Sequence, residues 1–256
     1  MSGEHVLRIG GVTKRFGGLL AVDNVSFDVK RGEVFALIGP NGAGKTTLFN
    51  CITGIFPPTL GTVIFEDSDI TGFKPHQTAR AGIARTFQNI RLFDYMSVLD
   101  NVRLGMHCRM RAKLWDSLFK TPREKREERE TVDRARDLLR FVGIERHAEN
   151  YARNLPYGLQ RRLEIARALA TQPHLLLLDE PAAGFTPQEK VQLMKLIGLI
   201  IERGITVFLI EHDMKVVMGI SKTIVVLDHG EKIAEGSPEV VRQNPRVIEA
   251  YLGKSA

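Results

Sequence analysis

"VFALIGPNGAGKTTLFNCITG", Val34 to Gly54, is the stretch on which the reading of this chain turns. Val34 to Ile38 form a continuous apolar run ending at a glycine, the pattern of a short strand buried on both faces. "LFNCITG" suits a helix, and Gly39 to Thr47 lie between. The spacing fits G-x-x-x-x-G-K-[ST] in the strand–loop–helix setting that this pattern requires. Gly39, Pro40, Asn41, Gly42, Ala43 and Gly44 form a loop whose glycines let successive N–H groups converge on phosphate oxygens. The following helix adds the positive end of its dipole. Lys45 reaches toward β and γ phosphates, the hydroxyl of Thr46 is an oxygen ligand for Mg²⁺, and Thr47 completes the set. A glycine turn with no ligand would need neither the lysine nor the threonine.

Working outward, "HLLLLDE" is a second buried strand, ending in Asp179 and Glu180. Open α/β sheets bind ligands beyond the carboxyl ends of their strands. An aspartate there can hold hydrated Mg²⁺, and the adjacent glutamate can orient an attacking water. "TVFLIEH" is a third such strand and ends in His212, placed for a hydrogen bond to a γ-phosphate.

The first 70 residues read as short strands with tight turns, residues 91 to 160 carry helical periodicity, and strand–helix alternation resumes from 161. That alternation implies βαβ units and a parallel sheet. The charge-dense "KTPREKREERE" reads as a solvated helix face. The formal charge of +6 is compatible with nucleic acid, an anionic membrane surface or phosphate ligands, and chooses among none of them. The two cysteines, Cys51 and Cys108, form no zinc or CxxC spacing, so a reducing compartment is expected. "MSGEHVLRIGGVTKRF" carries charges where a signal peptide needs an apolar run. No stretch approaches the roughly 18 consecutive apolar residues of a bilayer span. Membrane work is therefore expected to go through a partner.

With these motifs in order the chain resembles the nucleotide-binding subunit of an ABC transporter over nearly all of its 256 residues. Phe16 in "KRFGG" matches the aromatic that stacks on adenine, and Val22 is expected beside the nucleotide. Gln88 in "ARTFQ" matches the Q-loop glutamine, implied in catalysis and as a metal contact with Thr46 and Asp179. "LPYGLQ" lies at the signature position, "LLLLDEP" matches Walker B with Glu180 as catalytic glutamate, and His212 matches the switch histidine. "RFGGLLAV", "ARTFQNIRLF", "DEPAAG", "IEHDMKVVMGIS" and the segment around "CRMRAKLWDSLFKTPREKRE" resemble one of the two ATPase subunits of the branched-chain amino-acid importer. The resemblance implies an α/β fold: a RecA-like P-loop NTPase core with a mostly parallel sheet, an N-terminal antiparallel β subdomain and an inserted helical subdomain. The core is expected over 1–90 and 161–256 and the helical signature subdomain over 91–160. Implied cofactors are ATP and Mg²⁺. Implied partners are membrane permease subunits, a second ATPase subunit (a heterodimer is favoured, a homodimer possible) and, indirectly, a binding protein. Nucleic acid is not among them. The implied place is the cytoplasmic face of the membrane, peripheral and held by the permeases. In the implied head-to-tail dimer, Pro156, Tyr157 and Gly158 touch the partner's ATP.

Two other classes fit less well. A nucleic-acid or ribosome ATPase would usually bring tandem cassettes, coiled coils or zinc modules, and a P-loop GTPase or kinase leaves Gln88, Glu180 and His212 unexplained together. Two departures from the family pattern stand out. Pro156 replaces the signature serine, whose hydroxyl would otherwise bond the opposing γ-phosphate, and Thr186 replaces an aspartate that usually crosses the dimer interface.

Overall fold

The computed structural model describes residues 4–106 and 122–252, with backbone alone for 122–127 and 252. Cys108 and residues 108–121 of the segment "CRMRAKLWDSLFKTPREKRE" lie outside the described residues. The chain forms two compact units, one of residues 1–85 with 174–256 and one of 86–173.

In the first unit, β1 (His5–Phe16) and β2 (Leu19–Lys30) pair as a long antiparallel hairpin, and β4 (Leu60–Phe65) and β5 (Ser68–Asp69) extend the sheet in the order β2-β1-β4-β5. The second sheet is β10-β9-β3-β8-β7-β6, built from β3 (Val34–Ile38), β6 (Ile83–Arg85), β7 (Leu175–Asp179), β8 (Thr206–Ile210), β9 (Thr223–Asp228) and β10 (Glu231–Gly236). Every pairing in it is parallel except β10 with β9. β3, β7 and β8 are buried along their whole length, which explains their unbroken apolar runs.

Helix α1 (Lys45–Ile52) is seated on this sheet by aromatic packing. The Phe49 and Phe208 rings lie 4.8 Å apart, Phe208 meets Phe35 edge-on at 5.0 Å, and Phe35 stacks on Phe27 at 5.1 Å. Contacts of this kind contribute about 0.5–1.5 kcal/mol per pair beyond the burial itself. They fix the helix that begins with Lys45. The remaining helices are α2 (Pro75–Ala81), α6 (Pro187–Glu202), α7 (Met214–Ile220), α8 (Pro238–Arg242) and α9 (Pro245–Leu252).

The second unit consists of α3 (Val98–Met106), α4 (Pro122–Phe141) and α5 (Tyr157–Ala170), with α5 packed on α3 and α4. Its core includes Val98, Val102, Leu139 and Leu163. Glu128 to Glu130, at the end of the charge-dense run, are exposed. The unit takes in all of α5, although the sequence reading groups residues from 161 onward with the core. β6 and α2 carry no signal in the sequence reading, because three and seven residues are too few for a period to show.

Candidate active site

The loop from Gly39 to Gly44 is walled by main chain. A Cβ on Gly39 would sit 2.1 Å from the Leu227 carbonyl oxygen, and one on Gly44 would sit 2.4 Å from that of Ala21. Both residues have positive φ, so glycine is required twice over. The Gly230 N–H donates to the Ala43 carbonyl at 3.2 Å, tying the loop to the β9–β10 turn. The Lys45 ammonium folds over the loop and donates to the carbonyls of Gly39 at 2.7 Å and Pro40 at 2.8 Å. Burial pushes the Lys45 pKa down, while the Glu180 and Asp179 carboxylates oppose that shift. From α9, the Tyr251 phenol is pushed up to about 12 by burial, against the pull of the Gly39 N–H beside it.

Asp179 closes β7 and is 3% exposed. One of its oxygens accepts from Arg85 at 2.7 Å, and the same guanidinium donates to the Asn50 side chain at 2.6 Å. Glu180 comes next with φ 48°, a left-handed conformation. Its N–H donates to the Ile210 carbonyl at 2.9 Å, extending the β7–β8 ladder by one bond. The turn points its carboxylate at His212, with Oε1 3.4 Å from Nδ1. His212 is half exposed and Glu180 largely buried, so the pair lies at the rim of the strand ends.

Phe16, at the end of β1, is 43% exposed and meets Phe56 edge-on at 5.1 Å. The Lys14 ammonium lies 5.0 Å from both ring centroids. An aromatic held in place yet open on one face can stack on a base. Val22 is fully buried in the core, and a Cβ on Gly44 would approach its Cγ2 to 3.3 Å.

In the second unit, Gln88 is exposed in the loop before α3. α5 begins at Tyr157, with Pro156 in the capping position at φ −54°, ψ 150° and no side-chain cap. Pro156 therefore stands one residue before the first helical turn, and Gly158 lies within that turn. The Tyr157 ring is 46% exposed, and its hydroxyl accepts from Arg161 at 3.2 Å. Arg161 is completely buried and also donates to the carbonyls of Phe87 (2.7 Å) and Gln88 (2.9 Å) and to the Glu164 carboxylate (2.8 Å). The other Glu164 oxygen accepts from the Phe87 N–H at 3.1 Å. Burial pushes Glu164 up, against the hydrogen bonds from Phe87 and Arg161.

Comparison with known proteins identifies the family of the chain. Residues 22–183 match the family described as "ABC transporter". This chain belongs to that family. Residues 231–256 match a second description, "Branched-chain amino acid ATP-binding cassette transporter". The high-affinity branched-chain amino acid transport ATP-binding protein LivG of Escherichia coli K12 is 49% identical over 98% of this chain and 99% of its own. Among solved structures, the ADP conformation of an ABC transporter cassette aligns with a TM-score of 0.86 at 35% identity, over 98% of this chain and 100% of that one. A dimeric cassette in a post-hydrolysis state with ADP and Pi aligns at 0.77 and 27% identity, over 91% of this chain and 98% of that one.

The chain is thus an ATP-hydrolysing ABC subunit, and the expected α/β P-loop fold is the one found. No helix among the described residues is long and apolar enough to cross a membrane. Of the expected site residues, the structure draws Lys45, Asp179, Glu180 and His212 together in the first unit and leaves Gln88, Pro156, Tyr157 and Gly158 in the second. Thr186, the second departure from the ABC pattern, caps α6. Its hydroxyl accepts from the Glu189 N–H at 3.3 Å, and Glu189 accepts from the Thr186 N–H at 2.8 Å. Sequence reasoning passed over Arg85, Arg161 and Glu211. Arg85 lies inside the quoted "ARTFQ", but a single arginine closing a three-residue strand has no spacing that points to Asp179.

Proposed function

We propose that this chain powers import of branched-chain amino acids by binding and hydrolysing MgATP. The supporting observation is the near-full-length likeness to LivG together with the C-terminal match. Lys45 and the loop N–H groups hold the β and γ phosphates, and Glu180 orients the attacking water while His212 contacts the γ-phosphate. Thr46, exposed at the start of α1, and Asp179 offer oxygen ligands that suit Mg²⁺, with Gln88 as a further metal contact. Among the described residues no three His, Cys, Asp or Glu side chains cluster as a metal cage. Mg²⁺ characteristically binds through one or two protein oxygens plus substrate phosphates, so the donor set fits an ion that arrives with ATP. Phe16 stacks on adenine, with Val22 behind the Gly44 turn.

ATP then joins two ATPase subunits head to tail, Pro156, Tyr157 and Gly158 meeting the partner's nucleotide; hydrolysis releases them. The second subunit is a related ATPase, and the helical subdomain receives a permease. Exposed Phe93 and Tyr95 support that surface, each with a guanidinium over its ring: Arg167 at 5.6 Å and Arg153 at 4.6 Å. A binding protein on the far side of the membrane supplies the solute. The subunit thereby sits peripherally on the cytoplasmic face. The test is co-expression with the permease pair and reconstitution into vesicles with the binding protein. Leucine, isoleucine or valine should stimulate ATP hydrolysis several-fold; stimulation by an unrelated solute alone would refute the substrate assignment.

A further inference from the structure

β7 and β8 run parallel as far as the pairing of Asp179 with Ile210, and the Glu180 N–H adds one last bond to the Ile210 carbonyl. Beyond that point the two chains diverge, one into the turn before α6 and the other into the cap of α7. Ladder bonding ends where the catalytic side chains begin. Glu211 fills the gap. Its side chain is 1% exposed and lies between the two departing chains. Oε1 accepts from the Ala182 N–H at 2.8 Å, while Oε2 accepts from the N–H groups of His212 at 3.0 Å and Asp213 at 3.2 Å. One carboxyl group thus grips the turn that carries Glu180 and the turn that carries His212. Those two side chains meet at 3.4 Å.

We propose that Glu211 is a positioning residue for ATP hydrolysis, setting the distance and angle between Glu180 and His212 by bridging the backbones that bear them. This rests on the catalytic reading of Glu180 and His212 given above. The chemistry of the bridge is specific. Three N–H donors converge on two oxygens, and only a carboxyl group presents an acceptor in both directions. An amide of the same shape has one oxygen, so its NH₂ must face an N–H on one side and that grip opens. The adjacent Asp213 carboxylate is occupied separately, capping α7 through the N–H groups of Lys215 and Val216 and pairing with Lys190. It therefore does not stand in for Glu211.

The experiment compares Glu211→Gln, Glu211→Asp, Glu180→Gln and His212→Ala in the full chain. Glu211→Gln should lower kcat by about 10- to 100-fold, with KM and the MgATP Kd moving less than about twofold. Glu211→Asp keeps both acceptors on a shorter arm and should recover part of kcat. It also serves as the measurable variant if the glutamine form does not fold. In a His212→Ala background, Glu211→Gln should cost less than about threefold, because both changes act on one contact. Full kcat in Glu211→Gln, a parallel loss of nucleotide affinity, or losses that multiply with His212→Ala would each overturn the proposal. If Glu180→Gln and His212→Ala both retain full turnover, the catalytic reading itself fails and the positioning role falls with it. If they lose turnover and Glu211→Gln does not, only the bridge is refuted.

Discussion

At Glu180 the main chain turns left-handed while its N–H still closes the ladder to Ile210. A non-glycine residue in that conformation costs on the order of 1 kcal/mol. The return is direction: the turn aims the carboxylate at His212 instead of along the strand. Removing the charge and keeping the shape separates binding from chemistry. Glu180→Gln should bind MgATP within about twofold of the parent and lose turnover by at least about 100-fold in a single-turnover assay. Retained turnover would remove Glu180 from the role of base. This residue could be read from the sequence because strand, motif and chemistry coincide there. Arg85 could not, since its partner Asp179 is 94 positions away and no local pattern encodes that pairing.

At the scale of elements, two helix starts are fixed differently: α7 by an acceptor that takes the N–H groups of its first turn, α5 by a donor that holds a side chain of that turn. α7 is capped by Asp213, whose carboxylate also takes the Lys190 ammonium at 2.5 Å. That hydrogen bond, aided by the Val216 and Lys215 N–H groups against the cost of burial, holds Asp213 below its ordinary 3.8. A lowered carboxylate pKa stabilises the fold fully above 3.8, and the contribution is lost as pH falls through the folded value. Asp213→Ala should therefore cost about 1–2 kcal/mol at neutral pH. The gap to the parent should narrow below pH 3.8, as read from urea midpoints. α5 has no such cap, and its first turn is organised from beneath by Arg161. Arg161→Met would leave Glu164 buried without its cation, so unfolding should become about 3–5 kcal/mol easier. An unchanged denaturation midpoint would contradict that. The apolar periodicity of α5 was legible. Its buried Arg–Glu pair was not, because charged residues at i and i+3 look the same on a solvated face.

For the whole molecule, the legible part was the set of strands buried on both faces and the motifs at their ends, where burial and chemistry both constrain residue type. The edge strand β6 and the extent of the second unit depend on tertiary packing and left no local trace, whereas the Thr186 cap is written locally, as Thr186-Pro187-Gln188-Glu189, and was passed over. A ligand that binds only the folded state raises stability by about 2.7 kcal/mol at a hundred times its Kd. ATP should thus raise the thermal midpoint by several degrees, and Lys45→Ala should abolish the shift, since a hydrogen bond to a charged group contributes about 1.5–3 kcal/mol. An equal ATP shift in that variant would place the nucleotide elsewhere. The main-chain walls around Gly39 and Gly44 bear on how such a protein can change over generations. Side-chain replacement cannot widen or narrow a cradle bounded by carbonyls of Leu227 and Ala21, so point mutation has almost no gradation of phosphate grip to offer there. A saturation mutagenesis screen should show those two codons as nearly all-or-none, and heritable tuning of ATP use should accumulate at the turns around it.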